Sequence, residues 1–121
     1  MKHVALVEEA WVDFIVRGPD AIGSMDDAAQ ESHAAGFRML KGDFLESLLA
    51  TYASVASATS EVVQSTRSLD ESQPLPDAPW FEAGACWSAR RVLLHIIAEA
   101  AQHSGHADII RESLDGAKTT G

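Results

Sequence analysis

The chain has 121 residues, nine Lys+Arg against 18 Asp+Glu for a formal net charge of −9, 46% hydrophobic residues and one cysteine. That length suits a single domain, the apolar fraction excludes wholesale disorder, and one cysteine excludes both an internal disulfide framework and a multi-cysteine zinc site. The acidic balance argues against nucleic acid and anionic membrane surfaces, since both call for Lys/Arg-rich faces.

No apolar run approaches the ~18 residues of a membrane span. The N-terminus turns acidic at Glu8-Glu9, too early for a signal peptide. A cytoplasmic location is the default expectation.

Three long helices are predicted, at about 2–17, 43–68 and 88–114. In the first, Val4, Val7, Trp11, Phe14 and Ile15 recur at helical spacing, and Gly18-Pro19 ends the pattern. Residues 18–42 read as a mixed linker punctuated by Gly18, Gly23, Gly36 and Gly42, with a short helical turn over 26–31. A connection this long inside a small domain often covers something.

The second helix is expected to begin at Asp43, with Glu46 completing a capping box. Leu45, Leu48, Tyr52, Val55, Thr59 and Val62 give it an apolar stripe. Residues 69–87 read as a loop, because Pro74, Pro76 and Pro79 exclude a regular helix. Trp80 and Phe81 are expected to pin it to the helices. Ser88 is the N-cap of the third helix, and Asp115-Gly116 stops it. Residues 1–116 form the expected domain and 117–121 a frayed tail. No run alternates as a strand should. The fold class is therefore all-α, an up-down bundle of three long helices.

The third helix carries the chemistry. Val92, Ile96, Glu99, His103, His106/Ala107 and Ile110 are spaced by three and four and share a face. Its ends are aliphatic, but Glu99 and His103 occupy its middle. Burying a carboxylate beside an imidazole costs several kcal/mol unless each finds a strong partner, on the order of the penalties for buried charges. One reading is an i,i+4 ion pair at the edge of the core. The other is a metal ion, with a third ligand from another helix. His3 is the candidate, since it lies one turn before Val7 on the apolar side of the first helix. Two His and one carboxylate suit Zn²⁺ and other first-row divalent ions, and three protein ligands leave positions open for water or substrate.

The stretch Trp87-Ser88-Ala89-Arg90-Arg91-Val92-Leu93-Leu94-His95, followed by Glu99, His103, Gly105, His106, Ala107 and Asp108, resembles the last helix of the DinB-like metal-dependent bundles. These are related to YfiT-type hydrolases and mycothiol-dependent maleylpyruvate isomerase. The closest similarity is to an actinobacterial branch with an HxxxExxxHxGHAD final helix. Lys2-His3-Val4-Ala5 with Trp11 resembles the end of the family's second-helix motif, and Gly36-Phe37-Arg38 with Gly42-Asp43 resembles the approach to its third helix. The resemblance implies a metal held by His3, Glu99 and His103. The metal would be Zn, Ni or similar, and the thiol cofactor mycothiol. It also implies a four-helix bundle lacking its first helix, whose open apolar groove favours a homodimer.

His106, one turn beyond His103, is either an acid/base near the metal or an exposed helix histidine. His95 either hydrogen-bonds Glu99 or caps the core edge, and His33 reads as surface. Asp108 and Arg111 make a surface pair. Arg90-Arg91 reads as a solvated face. Trp11, Trp80 and Trp87 are expected as core and loop anchors, with a pocket wall as the other reading. Cys86, at a helix start, reads as structural. The expected function is a metal-dependent transferase or isomerase joining a low-molecular-weight thiol to a small electrophile. The alternatives are a non-catalytic dimerisation module with a vestigial metal site, or a metal-dependent hydrolase.

Overall fold

The computed structural model describes residues 1–22 and 27–119, with only the backbone described for 27–29. Among these residues, four α-helices account for most of the ordered backbone: α1 Lys2–Arg17, α2 Asp27–Ala35, α3 Leu45–Ser65 and α4 Ala89–Asp115. A 3₁₀ turn, Gly18–Ala21, follows α1. None of these helices is long and apolar enough to cross a membrane.

α1 is the central element and packs against both α3 and α4. Its burial therefore extends beyond the single predicted stripe: Ala5, Glu8 and Val12 are buried along with His3 and Phe14. Gly18 ends it at φ 72°, donating its N–H to the Phe14 carbonyl, a conformation that strains any residue with a β-carbon. Val12, Phe14, Val92 and Ile96 make the core, with Trp11, Ile15, Val62, Leu75 and Trp87 packed around them.

The linker contains more structure than expected. The predicted turn over 26–31 is a nine-residue helix, α2; Gly23 and Asp26 lie outside the described residues. The start of α3 also differs from expectation. Phe44 is the N-cap; its N–H donates to Ser47 Oγ at 3.3 Å, and the Ser47 hydroxyl donates back to its carbonyl at 2.8 Å. Asp43 is occupied elsewhere, accepting from Lys2 Nζ and the Leu40 N–H, both at 2.8 Å.

The expectation of no strands is corrected. β1 (Ser72–Pro74) pairs antiparallel with β2 (Cys86–Ser88), with Gln73 opposite Trp87. Each strand is only three residues long, too short for alternation to show. Backbone bonds extend the pairing on both sides: Leu75 N–H to Ala85 O at 2.8 Å and Ala89 N–H to Glu71 O at 3.0 Å. The loop is therefore tied to the start of α4 by its backbone as well as by its aromatic rings.

Ser88 Oγ caps α4 by accepting from the Arg91 N–H at 3.2 Å. Gly105 does not interrupt the helix, and Gly116 ends it in the left-handed region. Residues 117–119 fold back along it, with Lys118 pairing Glu112 at 3.1 Å and the Thr119 hydroxyl donating to Asp108; Thr120 and Gly121 lie outside the described residues. Asp108 is thus engaged by the tail, and Arg111 turns to Asp115 at 3.6 Å, not to Asp108 as expected.

Candidate metal centre

His3 enters the site from the first turn of α1. It is 8% exposed. α4 supplies Glu99 and His103, one turn apart, each side chain a little over one-quarter exposed. One ligand atom from each of the three lies within 4.8 Å of the others. His103 Nε2 sits 3.6 Å from Glu99 Oε2, and the His3 and His103 rings meet edge to face at 4.9 Å. Tetrahedral bonds of about 2.0–2.2 Å place donors about 3.3–3.6 Å apart, so modest side-chain rotation closes the set. Two imidazole nitrogens and one carboxylate oxygen fit a first-row divalent ion.

Burial lowers the His3 pKa, and the neighbouring His103 and His33 rings lower it further. The imidazole is thereby kept neutral, the form a metal ligand needs.

The linker that reads as covering something covers His3. Phe37 stacks on the His3 ring at 4.0 Å and 27°, and His33 meets it edge-on at 5.0 Å. The reading of His33 as an isolated surface residue is corrected: it is exposed but faces the candidate ligand. Gly36 is buried against α1, where a β-carbon would lie 3.5 Å from His3 Cα. Lys2 and Asp43 clamp the far end of the same segment. No periodicity marks these contacts; the density of glycines in the linker was the available signal.

A family model described as mycothiol-S-transferase matches residues 1–116. The chain belongs to that family. The mycothiol-S-transferases are members of the DinB-like metal-dependent superfamily, the relationship implied by the HxxxExxxHxGHAD resemblance. The family points to a mycothiol-related transferase activity and implies a thiol substrate. No curated protein and no solved structure matches the chain.

In this mycothiol-S-transferase family member a cavity of ≈ 770 Å³ opens on the His3–Glu99 side. Trp11 of α1 and His95 of α4 form part of its wall, and Trp80 and Phe81 of the proline loop form another part. Trp80 is 62% exposed, so it serves as a wall more than as an anchor. Trp87 backs Trp11, stacked at 4.7 Å and 17°. His95 stands edge-on to both rings, at 5.1 and 5.2 Å, and burial lowers its pKa.

His106 is exposed, with its ring 6.1 Å from His103, and does not line this cavity. Arg90 binds Asp70 at 3.0 Å and Arg91 stacks over Trp87 at 4.6 Å. Cys86 lies exposed in β2, outside the helix, its thiol 3.7 Å from the Gly84 carbonyl.

Proposed function

We propose that the chain is a divalent-metal-dependent thiol transferase of the mycothiol type, with His3, Glu99 and His103 as the metal ligands. The convergence of these three donors, drawn from helices at opposite ends of the sequence, carries the reading. A divalent ion held by these residues would supply the charge that lowers a thiol's pKa toward neutral pH.

The rest falls to the chain's own residues. Phe37 and Gly36 close one side of His3 and hold its ring against rotation, which fixes the ligand before substrate arrives. Glu99 serves as the anionic ligand, offsetting ionic charge that two neutral imidazoles leave in place. Trp11 and Trp87 hold the His95 ring at the cavity wall. Cys86 is exposed and does not line this cavity, so the reacting sulfur is assigned to the external thiol. His106, one turn beyond His103, is the acid–base candidate on the outer side of the site. The sulfur lone pair forms the new C–S bond, the leaving group departs with the C–X electron pair, and the thiol proton passes to solvent.

The test is a thiol-transfer assay on the full chain, with metal content measured on the same preparation. Mycothiol-dependent turnover of an electrophile is expected in wild type. His103→Ala should lose both the metal and that turnover. Turnover indifferent to the thiol would point instead to hydrolysis by the same ligand set, and a metal-free wild type would end the reading.

A further inference from the structure

Resting on the transferase reading, we propose that the ≈ 770 Å³ cavity takes the acceptor and that this acceptor is an uncharged, flat, largely apolar electrophile. His3 and Glu99 both line the cavity, so a molecule held there lies next to the metal-binding donors. Its volume falls within the usual range of about 300–1,000 Å³ for small-molecule sites.

The walls select the chemistry. Trp11, Trp80 and Phe81 supply three rings from two separate parts of the chain, and Val7 and Ile22 add aliphatic surface to the lining. Flat apolar molecules gain most from such surfaces, through buried area and ring stacking.

Charge decides against an anionic acceptor. No Lys or Arg lines the cavity, and none of residues 23–29, 120 or 121 is Lys or Arg. Of the cations near the helix ends, Lys2 is engaged by Asp43 and Arg90 by Asp70, and Arg91 stacks over Trp87. Among the described residues Glu99 is the one carboxylate in the lining. A carboxylate or phosphate on the acceptor would lose its water and meet no Lys or Arg on the described walls, and a divalent ion whose charge Glu99 and the thiolate already match would offer it no free counter-charge. A polyhydroxylated thiol fits poorly for a related reason: besides the metal-binding candidates His3 and Glu99, the polar side chains of the described lining are chiefly Gln30, His33 and His95, few partners for its hydroxyls. The acceptor therefore takes the cavity, and the thiol's carrier group stays outside it.

The experiment is calorimetric titration of the full chain, supplied with one equivalent of zinc and with excess mycothiol. The probes are 2-naphthalenemethanol and 2-naphthalenesulfonate, an anion that coordinates metals poorly. The alcohol is expected to bind at least tenfold more tightly than the sulfonate. Trp80→Ala should weaken the alcohol at least threefold while Trp80→Phe restores most of it; Trp80 is exposed, so neither should unfold the chain. Equal or tighter sulfonate binding, or alcohol binding unmoved by Trp80→Ala, overturns the inference. The same titration on His103→Ala separates the two claims. Discrimination between the probes should persist there although the metal is lost. If wild type binds no zinc yet still prefers the alcohol, the transferase reading fails and the ligand class stands.

Discussion

At Gly36 a β-carbon would meet the His33 carbonyl oxygen at 3.1 Å, Leu6 Cδ1 at 3.4 Å and His3 Cα at 3.5 Å. Gly36→Ala is therefore expected to destabilise the fold by about 1–3 kcal/mol through overpacking and, by pushing the linker off His3, to weaken divalent-metal binding. Urea unfolding and a competitive chelator titration read the two effects. Two histidines set a pH dependence. Burial lowers His95, and burial, together with His103, His33 and the N-terminal ammonium, lowers His3. Below the ordinary His value of about 6.5, the unfolded chain takes up protons that the folded one refuses. Stability should thus be fully present above that value and fall as the pH drops through it. Urea midpoints between pH 7.5 and 5.5 check this, and His95→Gln should flatten the slope. Asp43 works in a lower window. The Lys2 ammonium and the Leu40 N–H hold its carboxyl below the usual range, so the clamp persists when the pH falls to 5 and is lost only as it falls through that lowered value.

The ends of α1 and α4 were legible element by element, because Gly18-Pro19, Ser88 and Gly116 carry their own stop and start chemistry. The start of α3 was not. Asp43 and Glu46 spell a capping box, but a tertiary partner, Lys2, takes the Asp43 carboxylate, and Ser47 caps the helix instead. The β1–β2 pair escaped notice because its pairing is set by residues 14 apart in sequence, Gln73 and Trp87, and neither strand is long enough to alternate. α1 shows a further limit. Its stripe at Val4, Val7 and Trp11 was visible, yet Ala5, Glu8 and Val12 form a second buried face, since α1 packs on both sides. Glu8, 7% exposed, accepts from the Thr59 hydroxyl at 2.6 Å. Thr59→Val removes the donor and leaves that buried carboxylate short of a partner. The expected cost is about 1–3 kcal/mol, measured as a shift in the urea midpoint without a change in slope.

Across the whole molecule, the proximity of His3, Glu99 and His103 was readable, because helical spacing puts Glu99 and His103 on one face and His3 on the inner side of α1. The surroundings of the site were not, since His33, Phe37 and Trp80 reach it through chain segments whose path no periodicity records. The stripe itself also ended sooner than its spacing implied: Val92 and Ile96 are buried, whereas Ile110 is 61% exposed. Among the described acidic and histidine side chains, His3, Glu99 and His103 are distinguished by convergence from separate helices. Metal analysis of the purified full chain, beside His3→Ala, Glu99→Ala and His103→Ala, bears most directly on this centre. Wild type should carry about one divalent ion per chain at the affinity of a three-ligand site, and each variant should lose it while keeping its helical content. A wild type without metal, or three variants that retain it, would refute the proposed centre.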